Sequence, residues 1–147
     1  MAKSFVNTGN GRPEGDPYND IISDIASRGV CPFCPEHLHE YHQRPIIHET
    51  DNWLLTDNMH PYEGATEHLL VIHRSHIETI AEISQKAWDE FSEVIGAAGI
   101  LRGIKGATLL MRYGDTAFTG ASVAHIHAQI VSGPGEPGAD PVLARVG

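Results

Sequence analysis

The sequence predicts an α+β fold: one domain with an antiparallel sheet of about five strands and two helices. Three observations point there. Five short runs carry strand-like apolar patterns, two segments carry helical spacing, and only one of those helices lies between strands. Strict strand–helix alternation is absent, which argues against a doubly wound parallel sheet. The chain has 147 residues, 41% of them hydrophobic and 20% charged, enough for one proper core and no second.

Residues 1–15 are polar and rich in Gly, Asn and Pro, and read as a mobile arm. Asp16-Pro17 is a helix start, an aspartate cap followed by proline at the first helical position. Ile21, Ile22, Ile25 and Ala26 then form an apolar stripe, and Gly29 is the stop. Residues 35–45 read as a loop. Ile46–Glu49 and Trp53–Thr56 are short strands, Pro61-Tyr62-Glu63-Gly64 is a turn, and His68–His73 is a stronger strand. Residues 84–102 hold the best helix, with Ala87, Trp88, Phe91, Val94, Ile95, Ala98 and Leu101 at helical spacing and Gly103 or Gly106 ending it. Thr108–Tyr113 and Val123–Val131 complete the strands. The tail, residues 133–147, is too rich in Gly and Pro for a regular element, so the domain is expected over 16–132.

The formal charge is −9, from 10 Lys+Arg against 19 Asp+Glu, which argues against a large nucleic-acid footprint. It leaves room for a small phosphorylated ligand, because a pocket can be locally positive on an acidic protein. No apolar run approaches the ~18 residues of a membrane span. The first residues lack the apolar core of a secretory signal, so the expected setting is a reducing cytoplasm. The 2 cysteines sit together as Cys31-Pro32-Phe33-Cys34, a redox pair or half a metal site, and there are 10 histidines.

Along the strand 123–131, alternation places His125, His127 and Gln129 on one face, with Ile126, Ala128 and Ile130 on the other. Two imidazoles and a carboxamide in a row are poor packing material and need polar partners. Gly120 and Ser122 lie just upstream, where a loop can present donors to an anion. A neutral imidazole, one nitrogen held by an acceptor and the other free, can attack phosphorus.

The stretch His125-Ile126-His127-Ala128-Gln129-Ile130-Val131 resembles the histidine-triad (HIT) motif, with glutamine in place of the third histidine. That pattern is similar to the branch that includes galactose-1-phosphate uridylyltransferases and diadenosine polyphosphate phosphorylases. Leu69-Leu70-Val71-Ile72-His73-Arg74-Ser75-His76-Ile77 resembles a second family segment, with His73 where proline is usual. Cys31-x-x-Cys34 matches the cysteine pair of zinc-bearing members, and Gly120-Ala121-Ser122 the family's Gly-x-Ser. The resemblance runs from about residue 30 to 132 and implies a HIT-like antiparallel sheet. It implies that His127 is the nucleophile that forms a nucleotidyl-histidine and that Gln129 contacts the transferred phosphoryl group. Ser122, with Gly120, contacts phosphate, and Asn58 lines the nucleoside pocket.

Zinc prefers four Cys or His ligands in a closed tetrahedron. The resemblance supplies His76 and His125 to join Cys31 and Cys34, a structural site with no open position. Local spacing alone also permits Cys31, Cys34, His39 and His42, with His37 near. His68, His73, Arg74 and Arg112 are further candidates for ligand contact, with an ordinary surface or edge-strand explanation beside them. The expected function is nucleotidyl transfer or phosphorolysis on a nucleoside polyphosphate or nucleotide sugar. A HIT-type hydrolase and a zinc-stabilised nucleotide-binding module are the alternatives. Glutamine cannot titrate, which favours a phosphate acceptor over water. The chain has the length of one half of a two-repeat uridylyltransferase, so a homodimer is expected to restore the pair.

Overall fold

The computed structural model describes residues 4–147. Strands β1 (Ile46–Glu49), β2 (Trp53–Asp57), β3 (Glu67–His73), β4 (Thr108–Arg112) and β5 (His127–Ser132) form one antiparallel sheet in the order β1-β2-β3-β5-β4. The helices are α1 (Pro17–Arg28), α2 (Leu38–Tyr41), α3 (Gln85–Arg102) and α4 (Thr116–Thr119). The α+β antiparallel expectation holds, with two single-turn helices added. α2 falls where a loop was expected, because four residues are too few to show a period.

Local chemistry sets the two long helices. Asp16 accepts from the Tyr18 amide at the start of α1, with Pro17 behind it, and Gly29 closes the helix. Ser84 accepts from the Ala87 amide at the start of α3, and Gly103 ends it. Ala87, Phe91, Val94 and Ala98 of α3 pack on Trp53, Leu55, Leu69, Val71, Ala128 and Ile130. These are alternate residues of β2, β3 and β5, so one sheet face is the main core. The Trp53 indole N–H, fully buried, donates to Ala87 O at 2.7 Å and ties sheet to helix.

The register gives the opposite face. Arg112 of β4 sits across from His127 of β5, which sits across from Ile72 of β3; Leu110, Gln129 and Leu70 form the neighbouring row. α1, α2 and the cysteine loop cover this face, with Leu38, Leu70, Ile72 and Phe33 in one cluster and Val6, Ile22, Ile25 and Val123 in another.

One expectation is corrected. The predicted strand 123–131 begins at His127. Val123 instead bridges Val6, and the Ile126 amide bonds Ile77 O at 2.8 Å, so the segment carrying His125 leaves the ladder. Of the expected arm, residues 1–3 lie outside the described residues. Within residues 4–15, Val6 is buried, and Asn10 Nδ2 donates to Thr116 O and Ala121 O, both at 2.7 Å. From Gly133 onward there is no helix or strand. No helix among the described residues is long and apolar enough to cross a membrane.

Candidate functional site

On the face away from α3 the sheet forms the floor of a cleft, walled by α1, the segment 10–12 and the loop 58–62. His127, Gln129, Ser122, Gly120 and Asn58 all line it. His125 does not; it faces the cysteine loop.

His127 is buried except for its cleft edge. Its Nδ1–H donates to His125 O at 2.7 Å, which fixes the tautomer and leaves Nε2 without a proton. Burial pushes its pKa down to about 4, so the ring is neutral at physiological pH. Phe33 packs edge-on against it, ring centroids 5.0 Å apart.

Gln129 is oriented by His68. The Tyr62 amide donates to His68 Nδ1 at 3.0 Å, so the His68 proton is on Nε2 and is donated to Gln129 Oε1 at 2.5 Å. With its oxygen committed, Gln129 keeps its NH2 group for a ligand. His68 itself is held below the ordinary imidazole range, first by burial and then by Arg12 and Arg112. The Asn58 side-chain oxygen accepts the His60 amide at 2.7 Å, an Asx turn at the cleft edge.

The Ser122 hydroxyl hydrogen-bonds the Tyr18 phenol. Gly120 has φ +77°, the left-handed region that favours glycine. A Cβ there would sit 3.1 Å from both Cγ and O of Arg145. Arg12 lies over the Tyr18 ring, 4.6 Å from its centroid. Tyr18 and Arg12 were not singled out from the sequence; proline-capped α1 was legible, but the face it presents to the cleft was not.

Behind His127 lies the second constellation. Among the described residues, Cys31, Cys34, His76 and His125 form the one four-residue group whose ligand atoms all lie within 4.8 Å of one another. Nδ1 of His125 is 3.4 Å from Cys31 Sγ and 3.8 Å from Cys34 Sγ; Nδ1 of His76 is 3.3 Å from Cys34 Sγ and 3.2 Å from His125 Nδ1. A tetrahedral zinc with metal–sulfur bonds of roughly 2.3 Å and metal–nitrogen bonds of roughly 2.0 Å has edges of about 3.3–3.8 Å. The outer nitrogens are committed: His125 Nε2–H donates to His73 O at 2.6 Å and His76 Nε2 pairs with Glu78 at 2.9 Å. Both rings therefore turn Nδ1 inward, the arrangement that orients metal-binding histidines. Burial pushes both thiols up, Cys34 to about 12, so a bound dication is what would hold them as thiolates. The donor set fits zinc. The rival pair is elsewhere: His39 is exposed and His42 Nε2 bonds Thr56 Oγ1 at 2.6 Å.

No family model and no curated protein matches the chain. Solved structures do. A "Hit Like Protein" is 28% identical with a TM-score of 0.55, covering 65% of this chain and 92% of its own. A HIT family hydrolase from Clostridium thermocellum is 24% identical with a TM-score of 0.55, covering 77% and 96% respectively. A zinc-bound histidine triad family protein from Mycobacterium smegmatis is 22% identical with a TM-score of 0.55, covering 77% and 81%. The chain thus has the fold of the histidine triad proteins.

Proposed function

We propose that this protein is a nucleotidyl transferase or phosphorylase that works through a covalent nucleotidyl-histidine. The observation that carries the reading is the pinning of His127 Nδ1–H on His125 O, which leaves an unprotonated Nε2 at the cleft floor. That nitrogen attacks the α-phosphorus in line, and the leaving group departs on the opposite side. Gln129 NH2 and the Ser122 hydroxyl donate to the phosphoryl oxygens as charge moves onto them. An acceptor then takes the nucleotidyl group from His127, so the two displacements retain configuration at phosphorus.

Cys31, Cys34, His76 and His125 would hold zinc as a closed site, and the metal would supply a structural cross-link between the cysteine loop and the segment two residues before His127. A homodimer is part of the same proposal: β4 is an edge strand and its Leu109 is half exposed. The name of the Clostridium thermocellum neighbour favours a second reading, in which water is the acceptor.

Product analysis with a nucleoside triphosphate, with and without added inorganic phosphate, tests the choice. A nucleoside diphosphate formed only when phosphate is present supports transfer; a nucleoside monophosphate in both arms supports hydrolysis. Loss of all turnover in His127→Ala, with zinc and fold retained, supports the mechanism that both share. Normal turnover in that variant excludes it.

A further inference from the structure

The cleft has a charge pattern that His127, Gln129 and Ser122 do not account for. The chain has 19 acidic residues and a formal charge of −9, yet among the described residues lining the cleft there is no Asp or Glu and there are three arginines, Arg12, Arg112 and Arg145. Elsewhere three cations sit on carboxylates: Arg28 pairs with Glu40, Lys86 with Asp51, and Arg102 with Asp57 and Glu67. Among the described residues, neither Arg12 nor Arg112 has a carboxylate partner.

Both are held in place without being satisfied. Arg112 stands directly across the β4–β5 ladder from His127. Its Nη2 donates to Arg145 O at 2.6 Å and to the Tyr62 hydroxyl at 3.4 Å, while its Nε is buried with no hydrogen-bond partner. A buried guanidinium nitrogen left unpaired costs free energy that a bound acceptor would recover. Arg12 is clamped between the rings of Tyr18, at 4.6 Å, and Tyr62, at 5.8 Å, with one N–H on His60 O. Its remaining N–H groups have no acceptor among the described residues. Tyr62 thus lies between the two cations, and Tyr18 links Arg12 to the Ser122 hydroxyl. Arg145 differs: its side chain is exposed and bonds the Gly9 and Gly147 carbonyls.

We propose that Arg12 and Arg112 form a second anion site, which holds the phosphates beyond the one presented to His127, so that the substrate is a nucleoside carrying a condensed phosphate chain. This rests on the reading of His127 as the attacking group and narrows it, because an amine leaving group draws nothing from two unpaired guanidinium groups, and a sugar phosphate brings them one phosphoryl group where a condensed phosphate brings two or more. In the first step a bond forms from His127 Nε2 to the α-phosphorus and the bridging P–O bond breaks. The condensed phosphate leaves with that electron pair, and Arg12 and Arg112 meet its added charge. The return step uses the same site for inorganic phosphate. A phosphate oxygen bonds to phosphorus, the P–N bond breaks, its electron pair returns to Nε2 and the acceptor's proton passes to solvent.

The test is equilibrium binding of inorganic tripolyphosphate to the full zinc-loaded chain, alongside AMP as a probe of the nucleoside monophosphate region. Arg12→Gln and Arg112→Gln are each expected to weaken tripolyphosphate binding about tenfold or more, with AMP binding changed far less. Melting curves identify any variant that fails to fold, and the two substitutions lie on separate elements, so either one suffices. Tripolyphosphate binding that ignores both substitutions overturns the inference, as does wild-type protein that does not bind tripolyphosphate. Adduct formation on His127 is scored separately. An adduct with arginine-independent tripolyphosphate binding removes this inference alone. Arginine-dependent binding without an adduct keeps the anion site and removes the reaction.

Discussion

His68 donates its Nε2–H to Gln129 Oε1 at 2.5 Å while its Nδ1 receives the Tyr62 amide at 3.0 Å. A backbone amide in the 58–62 loop thereby sets the tautomer of one histidine, and that histidine sets which end of Gln129 is offered to a ligand. The relay predicts that His68→Ala slows the chemical step by roughly tenfold or more while substrate affinity changes less. It leaves the buried Gln129 oxygen unpaired at a cost of about 1–3 kcal/mol. Single-turnover rates against KM check it; an unaltered rate means that Gln129 needs no orientation.

The zinc site makes a separate prediction. Cys31→Ser removes a buried member of the Cys31, Cys34, His76, His125 cluster, and metal content is expected to fall with a melting temperature lower by roughly 10 °C. His39→Ala, in the rejected local set, is expected to leave both unchanged. Metal analysis of the two purified variants decides; loss of zinc from the His39 variant reverses the assignment.

Acid should destabilise the protein through its buried neutral histidines. His42 and His68 are both held below the ordinary imidazole range, chiefly by burial. The unfolded chain takes up protons near pH 6.5, which the folded chain refuses, so stability is fully present above that pH and declines as pH drops through it. Urea unfolding from pH 7.5 down to 5 is expected to show this decline, and His42→Gln is expected to flatten it. A curve independent of pH across that range contradicts the neutral assignment.

Gly120→Ala places a side chain at φ +77° and within 3.1 Å of Arg145. The expected cost is about 1–2 kcal/mol, with weaker nucleotide binding because the Ser122 loop must shift. Removing residues 145–147 should return the steric part of that cost and leave the conformational part. Denaturation of the single and double changes reads out the difference.

What the sequence could say followed the range of each interaction. The caps of α1 are legible because Asp16-Pro17 and Gly29 act within a turn of their helix, and the end of α3 is narrowed to Gly103 or Gly106, of which the structure uses Gly103. β5 was extended four residues too far because Val123 and Ile126 look strand-like, while their partners, Val6 and Ile77, are distant in sequence. The cysteine pair was visible as a motif, but spacing could not choose His76 and His125 over His39 and His42; that choice came from resemblance. Arg12 lies in a Gly/Asn/Pro-rich segment that reads as an arm, and only the rings of Tyr18 and Tyr62, brought to it by the fold, place it in the cleft.

The most direct measurement is intact-mass analysis of the zinc-loaded protein after mixing with a nucleoside triphosphate and quenching in alkali, where phospho-histidine bonds survive, followed by peptide mapping. The account predicts a mass increase of one nucleoside monophosphate unit, located on His127 and absent from His127→Ala. An adduct on another residue, or turnover with no adduct at any quench time, contradicts it.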